Sequence, residues 1–215
     1  MNEIEIKKSL GLIDYESSIK FMESRVLDIQ NYRKNELIWF LNHNHIYTQG
    51  TSASKNEIIK KNNIRIIKTN RGGKTTYHGP GQRIIYFLIN LNNRKKDVRN
   101  FISILENSLI TLLLNYKIEA RSFKDRVGIW VTKSNKIQLE KEKKIGAIGL
   151  RISKWVTYHG LSFNIDPELK YYEGIHACGL KHYKNTSLKE LGINLVKEEF
   201  DEEFETIFLK KLNNL

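Results

Sequence analysis

The sequence of 215 residues contains one cysteine, Cys178, and two prolines. A single cysteine excludes an internal disulfide and any zinc site built from several thiolates. No apolar run approaches the ~20 residues that a membrane-spanning helix requires, and residues 1–11 are too polar for the apolar part of a signal peptide. These absences predict a globular protein of the reducing cytoplasm that does not enter a membrane.

Lysine and arginine outnumber aspartate and glutamate by 36 to 24, which gives a formal net charge of +12. A surface of this sign attracts acidic partners, either nucleic acid or acidic proteins. The abundance of Ile, Asn and Lys offers a second explanation, a lysine-rich composition without functional meaning. The charge alone therefore leaves the class of partner open.

Hydrophobic periodicity predicts helices over residues 14–33, 97–116 and 198–212. Strands are predicted at 37–41, 64–68, 83–91, 127–132, 138–152 and 155–165. We also expect a hairpin turn at 133–136 and a short helix at 186–191, where Ser187 and Glu190 fit a capping box. Helices and strands do not alternate strictly, so we predict an α+β fold in which a mixed β-sheet is packed with helices.

A glycine-rich segment interrupts this periodicity and predicts a loop. Its sequence is Arg71-Gly72-Gly73-Lys74-Thr75-Thr76-Tyr77-His78-Gly79-Pro80-Gly81-Gln82. Glycines let a backbone approach a ligand closely, but the spacing matches neither a Walker A loop nor a dinucleotide fingerprint. A tight connection between strands remains an alternative to a binding loop.

The single cysteine lies in a polar, glycine-containing loop, His176-Ala177-Cys178-Gly179. This position favours a reactive thiol over an inert, buried one. A free thiol is only ~3% thiolate at neutral pH, and a nearby ammonium would populate the thiolate.

A second candidate segment begins at Lys144. The small residues Gly146, Ala147 and Gly149 follow it and indicate that something packs close to the backbone of a strand. A lone lysine before such a strand is ordinarily a surface residue, so Lys144 has a structural and a functional interpretation.

The histidines show no spacing typical of a metal site. His43 and His45 alternate with asparagines, which predicts a loop at 42–45. The tetrapeptide Thr-Tyr-His-Gly occurs at 76–79 and again at 157–160, although a match of this length does not establish a repeat. We therefore expect neither a metal nor a cofactor.

Together these segments resemble the lipoyl (octanoyl) transferase family. Residues 71–82 are similar to its RGG-x-x-TYHGPGQ signature, and residues 144–151 and 155–164 to its K-I-x-x-x-G-x-R and W-x-x-x-HG-x-x-x-N segments. Cys178-Gly179 and Thr186-Ser187 resemble its Cys-Gly and Thr-Ser pairs, and residues 14–16 and 47–48 also look like family positions. The resemblance covers nearly the whole chain, with Ala177 where the family commonly has proline.

The resemblance implies one octanoyltransferase catalytic domain over residues 1–215, with a fold related to biotin and lipoate protein ligases. It implies that octanoyl passes from octanoyl-acyl carrier protein, through a thioester on Cys178, to a lysine of a lipoyl domain during protein lipoylation. The implied acceptors are the lipoyl domains of 2-oxoacid dehydrogenase E2 subunits and the glycine cleavage H protein. The chain is expected to act as a monomer.

The resemblance also implies roles for individual residues. Lys144 is the partner that lowers the thiol pKa of Cys178. The implied substrate-binding residues are Arg71, Gly72, Gly73, Lys74, Thr75, Thr76, Tyr77, His78, Ala147, Ile148, Gly149, Gly160, Leu161 and Ser162.

Two other functions remain as hypotheses. An ATP-dependent lipoate or biotin ligase of the same fold needs no cysteine, and it binds nucleotide. Octanoyl transfer from a thioester to an amide runs downhill without ATP, which agrees with the missing phosphate loop. A nucleic-acid-binding domain would use the net charge of +12, but the aromatic residues are spread through predicted core strands rather than along a basic face.

Overall fold

The computed structural model describes residues 3–60, 62–179 and 183–213, and of Cys178 only the backbone. Within these residues the helices are α1 (Tyr15–Gln30), α2 (Val98–Asn115) and α3 (Lys197–Leu212). The strands are β1 (Glu5–Ile13), β2 (Leu37–His43), β3 (Ile46–Gln49), β4 (Arg65–Lys68), β5 (Thr75–His78), β6 (Gln82–Leu88), β7 (Ile118–Arg121), β8 (Ile129–Ser134), β9 (Lys143–Ser153) and β10 (Val156–Asn164). Short 3-10 turns include Lys55–Glu57, Leu169–Gly174 and Ala177–Gly179.

A seven-stranded sheet, in the order β1-β2-β6-β10-β9-β8-β7, forms the centre of the fold, beside a three-stranded sheet in the order β4-β3-β5. Strand β1 pairs with β2 in parallel, and α1 is the crossover helix that such a pair needs. The neighbours β2 and β6, β6 and β10, and β10 and β9 pair antiparallel. The prediction of a mixed sheet packed with helices is confirmed.

Helices cover both faces of the large sheet. Successive residues of β6 point to opposite faces, so Phe87 packs against Phe101 of α2 and Phe208 of α3, with ring centroids 6.2 and 4.9 Å away. On the other face Tyr86 joins a cluster with Met22 of α1. The near-continuous hydrophobicity of β6 therefore reflects burial on both sides.

A buried ion pair joins α3 to the sheet. The Nε and Nη2 atoms of Arg83 donate to the two carboxylate oxygens of Asp201 at 2.8 and 2.5 Å. Both side chains are 2% exposed. Such a bidentate pair fixes the orientation of the helix as well as its attachment.

The predicted helices over 14–33, 97–116 and 198–212 correspond to α1, α2 and α3. Asp14 caps α1 by accepting from the Ser17 N–H at 2.8 Å, and Asp97 caps α2 by accepting from the Asn100 N–H at 3.0 Å. The predicted strands at 37–41, 64–68, 83–91, 127–132 and 155–165 overlap β2, β4, β6, β8 and β10.

Several predicted boundaries are wrong, and so are two predicted element types, the loop at 71–82 and the helix at 186–191. Strand β5 lies inside the segment 71–82 that predicted a loop, and β2 runs to His43, into the predicted loop 42–45. Strand β9 begins at Lys143 rather than 138, and β8 continues to Ser134, into the predicted turn 133–136.

Residues 186–191 form turns rather than the predicted helix. Ser187 Oγ accepts from the Glu190 N–H at 3.1 Å, as in a capping box. However, the Glu190 carboxylate accepts from Thr186 Oγ1 at 2.6 Å, and Thr186 and Leu188 are tied by backbone bonds to neighbouring strands. One bond of helical spacing forms, from the Leu191 N–H to Ser187 O at 3.1 Å, but the tertiary bonds of Thr186 and Leu188 hold the segment out of a helix.

Candidate active site

Strand β5 divides the signature residues between two environments. Because side chains alternate along a strand, Thr76 and His78 face a large cavity, whereas Thr75 and Tyr77 do not line it. Tyr77 is fully buried in the aromatic cluster of the small sheet. The Thr75 N–H donates to the buried carboxylate of Glu57 at 2.8 Å. The resemblance implied that Thr75 and Tyr77 bind substrate, but in this structure their side chains pack in the small sheet and do not line the cavity.

The cavity has a volume of about 510 Å³ and lies beside β5, β9 and β10. The predicted substrate residues that line it are Arg71, Gly72, Gly73, Lys74, Thr76, His78, Ala147, Ile148, Gly149, Gly160, Leu161 and Ser162. Side chains from α1, β6, α2 and β10 complete the walls, among them Tyr15, Ile84, Tyr86, Val98, Ile102 and His159. A cavity of this size with mostly apolar walls and a few polar groups is typical of a small-molecule site.

The glycines at 72 and 149 allow the signature segment to lie against the edge of β9. The Gly72 N–H donates to the Leu150 carbonyl at 3.0 Å. A Cβ atom at Gly72 would lie 2.8 Å from that carbonyl oxygen, and one at Gly149 would lie 2.9 Å from the Gly72 oxygen. Neither position accepts a side chain unless the backbone moves.

Arg71 folds the signature segment around its own side chain. Its guanidinium donates to the carbonyl oxygens of Thr48, Gly72 and Lys74 at 2.7, 2.9 and 2.7 Å. It also donates to Thr48 Oγ1. The side chain is almost completely buried, so Arg71 shapes the wall of the cavity and brings a fixed positive charge close to it.

Three histidines in and beside the cavity are held neutral. Burial lowers the pKa of His78 and of His159 to about 3, and the positive charge of Arg71 adds to this effect. Burial also lowers the pKa of His43 to about 4. His43 Nε2 lies 2.7 Å from the Tyr86 hydroxyl, so the histidines extend a polar but uncharged network behind the cavity.

Hydrogen bonds determine the tautomer of His78. The Gln82 amide nitrogen donates to Tyr77 O and to Asn164 Oδ1, at 3.2 and 3.0 Å. The other amide atom, Gln82 Oε1, lies 2.9 Å from His78 Nδ1 and can only accept. His78 therefore carries its proton on Nδ1, and Nε2 is an acceptor.

Lys144 is buried and is not the surface residue that its lone position in the sequence suggests. Its side chain is 4% exposed. The ammonium donates to the Val127 carbonyl at 2.8 Å and lies 5.4 Å from the centre of the Trp130 ring. A buried ammonium held in this way is costly and indicates a specific role.

The backbone around Cys178 lies between the Lys144 crevice and the cavity. A small crevice is lined by Lys144, Ala177 and Thr76, and Thr76 also lines the main cavity. Gly179, on the other side of Cys178, lines the main cavity. The side chain of Cys178, and so its distance from Lys144, lies outside the described residues.

Backbone bonds anchor the cysteine segment on both sides. Before it, the N–H groups of Ile59 and Lys60 donate to the Gly174 carbonyl at 2.9 and 3.0 Å, and the His176 N–H donates to Glu57 O at 2.7 Å. After it, the Lys144 N–H donates to Lys184 O at 2.9 Å. The segment is thus attached to the strand that carries Lys144.

The sequence did not single out several residues of the site. Tyr15 and Tyr86 are wall residues of the cavity. The resemblance included Tyr15 as a family position without a role, and Tyr86 was assigned only to a strand. Two sequence signals fell on His159, the family-like segment 155–164 and the repeated Thr-Tyr-His-Gly tetrapeptide, but neither assigned it to the site, where it lines the cavity together with His78. Arg126, on the loop before β8, also borders the cavity and had no sequence signal.

Within the described ranges, no three or more His, Cys, Asp or Glu side chains are grouped to hold a metal ion. In the same part of the chain, none of the helices combines the length and the apolar character needed to cross a membrane.

Comparison with known proteins places this site in a family. The family model described as lipoyl protein ligase A/B catalytic domain matches residues 14–209. An octanoyltransferase of Ehrlichia chaffeensis is 46% identical over 210 residues, which cover 95% of this chain and 96% of the relative. An octanoyltransferase of Bartonella bacilliformis is 39% identical, over 95% of this chain and 88% of its own.

The chain belongs to the lipoyl protein ligase A/B catalytic domain family. The resemblance that the signature residues predicted is thereby confirmed. The family model extends from Asp14, the residue before α1, into α3 and so includes every element that lines the cavity.

Solved structures with low sequence identity share the fold. Lipoate-protein ligase A bound with ATP superimposes with a TM-score of 0.69 at 14% identity, over 97% of this chain and 86% of that one. The bipartite lipoate protein ligase of Thermoplasma acidophilum gives a TM-score of 0.70 at 12% identity, over 98% of this chain and 85% of that one. The predicted relation to the lipoate ligase fold is confirmed.

Proposed function

We propose that the protein transfers an octanoyl group from octanoyl-acyl carrier protein to a lysine of a lipoyl domain, through a thioester on Cys178. The observation that carries the proposal is the position of the Cys178 backbone, between the buried ammonium of Lys144 and a large, mostly apolar cavity. The names of the curated relatives support octanoyl as the acyl group.

The cavity suits an uncharged acyl chain. Its walls combine apolar side chains such as Ile84, Ile102 and Leu161 with histidines that are neutral at physiological pH. Each methylene removed from water contributes about 0.8 kcal/mol to binding. A carboxylate or a phosphate would gain from Arg71 only if it displaced the carbonyl groups that already occupy the guanidinium.

Lys144 and Cys178 divide the first step of the reaction between them. The Lys144 ammonium favours the Cys178 thiolate, which attacks the carbonyl carbon of the donor thioester. The bond between that carbon and the donor sulfur breaks, and the donor leaves as a thiol with a proton from Lys144. One difficult transfer thus becomes two easier ones.

The second step restores both groups. The lysine amine of the acceptor attacks the Cys178 thioester, an amide forms, and Cys178 leaves as the thiolate. The amine loses its proton to neutral Lys144, which acts as a general base. The pair returns to its starting charges, and the reaction consumes no ATP.

The proposed donor and acceptors are acidic proteins. The formal charge of +12 favours their encounter with this chain. We propose that the acceptors are the lipoyl domains of 2-oxoacid dehydrogenase E2 subunits and the glycine cleavage H protein, and that the reaction takes place in the cytoplasm.

Intact mass spectrometry after mixing with octanoyl-acyl carrier protein tests the proposal. We expect one octanoyl adduct on the native chain, no adduct on Cys178→Ala, and loss of the native adduct when an unmodified lipoyl domain is added. An adduct that persists on Cys178→Ala, or no adduct on the native chain, contradicts the thioester route. Modification of the lipoyl domain by octanoate only when ATP is present identifies a ligase instead.

A further inference from the structure

The loop at residues 122–128, between β7 and β8, holds the ammonium of Lys144. The carbonyl of Val127 on this loop accepts from Lys144 Nζ at 2.8 Å. A Cβ atom at Gly128 would lie 2.5 Å from Lys144 Cε, so the loop backbone lies directly against the lysine side chain. The position of this loop therefore sets the position of the ammonium.

Arg126 attaches this loop to three aromatic rings. Its guanidinium carbon lies 3.9 Å from the centre of the Phe123 ring, 4.6 Å from that of Tyr183 and 5.0 Å from that of Trp130. In addition, the Trp130 indole N–H donates to the Arg126 carbonyl at 3.2 Å. The Arg126 side chain is 10% exposed, so these contacts lie out of bulk water.

The same guanidinium reaches the chain segment that follows Cys178. Arg126 Nη1 donates to the Tyr183 hydroxyl at 2.6 Å. The residue after Tyr183 accepts from the Lys144 backbone N–H at 2.9 Å, and the Thr186 N–H donates to Lys144 O at 2.8 Å. Arg126 thus ties the loop that holds the Lys144 ammonium to the segment that holds the Lys144 backbone.

Burial of Arg126 costs folding free energy, because one of its polar atoms has no partner. Such a cost suggests that the position of the guanidinium serves a function. The Nε atom of Arg126 is buried without a hydrogen-bond partner, a rare condition in folded proteins. Glu142 lies 3.4 Å from Nη2 and Asp125 lies 3.9 Å from Nη1, and both carboxylates are at the surface. The fixed position of the guanidinium comes mainly from the rings and from Tyr183.

We propose that Arg126 is a positioning residue, which aims the Lys144 ammonium at Cys178 by fixing the Val127 carbonyl. This inference rests on the proposed function of Lys144 and Cys178. Arg126 borders the cavity, but in this role it takes no part in the bonds that form and break. It acts through Lys144, so its removal disturbs the reactivity of the thiol more than the binding of the acyl chain.

Charged and titratable groups approach the pair from several elements in the described part of the chain. Lys74 lies against Gly179, the residue after Cys178, and its Nζ is 4.0 Å from Glu57 Oε1. Arg126, Asp125 and Glu142 approach from the loop side, and Tyr183 approaches from the segment after Cys178. Tyr172 lines the Lys144 crevice from the opposite side. A change at Arg126 therefore alters a cation as well as a position, and the experiment has to separate the two effects.

Alkylation of Cys178 by iodoacetamide over a range of pH is the test, because the chain has one cysteine. We compare Arg126→Met, Arg126→Lys and Tyr183→Phe in the full chain. Arg126→Lys and Tyr183→Phe keep every charge near Lys144. The first loses the planar guanidinium that stacks on the rings, and the second loses the hydroxyl that accepts from it. Lys124→Met, at an exposed position of the same loop, is the matched control for charge removal.

We expect the pH of half-maximal alkylation to rise by at least ~0.5 unit in all three test variants and to stay unchanged in the control. The kcat of octanoyl transfer should fall about tenfold, with little change in KM. In a Lys144→Met background, Arg126→Met should cause no further shift, because residues that act through one another are not additive. Unchanged alkylation profiles in Arg126→Lys and Tyr183→Phe overturn the inference.

The outcomes also separate this inference from the proposed function. If Lys144→Met shifts the alkylation profile but Tyr183→Phe and Arg126→Lys do not, only the role of Arg126 is wrong. If Lys144→Met itself leaves the profile unchanged, the pairing of Lys144 with Cys178 is wrong, and the role of Arg126 falls with it. A melting curve of each variant confirms that it is folded.

Discussion

His78 Nδ1 and Gln82 Oε1 lie 2.9 Å apart, and this one contact determines which nitrogen of a buried imidazole carries the proton. Gln82 belongs to the same signature segment as His78 but to the next strand. Its amide nitrogen is fixed by Asn164 and Tyr77, so the amide cannot turn around. The glycine turn between the two strands thus places a neutral, single-tautomer histidine in the wall of the cavity.

We predict that Gln82→Glu destabilises the protein despite its similar shape. The carboxylate loses the donor bonds to Asn164 and Tyr77 and introduces a buried charge, so the free energy of unfolding should fall by about 1–3 kcal/mol at neutral pH. Urea unfolding measures this difference. Gln138→Glu, at an exposed position, should leave stability nearly unchanged, and equal effects of the two changes would contradict the prediction.

Replacing Lys144 with Met should slow acylation without unfolding the chain. In the proposed mechanism the Lys144 ammonium favours the thiolate, so without it the acylation rate should fall at least ~tenfold near pH 7 and recover as the pH approaches ~8.5. Quenched-flow mass spectrometry follows the adduct. Lys143→Met is the matched control, because the neighbouring Lys143 pairs with the exposed Glu190 at 2.9 Å. A rate profile identical to that of the native chain removes Lys144 from the mechanism.

The buried histidines should make stability depend on pH below neutrality. The pKa values of His43, His78 and His159 are lowered from 6.5 to about 4, 3 and 3. Above pH 6.5 both the folded and the unfolded states are neutral, and the full contribution is present. As the pH falls below 6.5 only the unfolded chain gains protons, so each histidine removes about 1.4 kcal/mol of unfolding free energy per pH unit until its folded pKa is reached. Urea unfolding between pH ~6.5 and ~4.5 should show this slope, and a flat profile would show that the imidazoles are not held neutral.

Breaking the Arg83–Asp201 pair should be among the most damaging single changes outside the site. Asp201→Asn leaves the Arg83 charge buried without its counterion and should lower the free energy of unfolding by about 3–5 kcal/mol. Asp166→Asn is a useful comparison, since its pair with Lys189 is exposed and should contribute less than ~1 kcal/mol. Chemical denaturation of both variants measures the two losses of unfolding free energy. Losses of similar size would argue against a structural role for the buried pair.

Local sequence patterns predicted the helices well because each has an apolar stripe, and α1 and α2 also have an aspartate cap. They predicted the strands less well. Strand β1 exposes most of its side chains at the edge of the sheet, so it lacks the alternation that identifies a strand. Strand β5 is short and lies between glycines that indicate a loop.

The resemblance of the signature segments identified most of the cavity wall, but the burial of Lys144 could not be predicted from its neighbours. Its carbonyl partner, Val127, is seventeen positions away in the sequence and arrives through the fold. The same holds for Tyr15 and Tyr86, which reach the cavity from α1 and β6. Contacts of this kind depend on how elements pack, and no local pattern records them.

In the proposed function, the neutral histidines of the cavity wall separate recognition of the acyl chain from the reaction at Cys178. Because His78 and His159 gain protons only near pH 3, the wall presents the same surface to an octanoyl chain throughout the physiological range. The affinity of the cavity for an octanoyl chain is then expected to be independent of pH in that range. If Cys178 and Lys144 act as proposed, any response of turnover to the pH of the cell arises at this pair, where it alters the rate of acyl transfer but not the choice of acyl group.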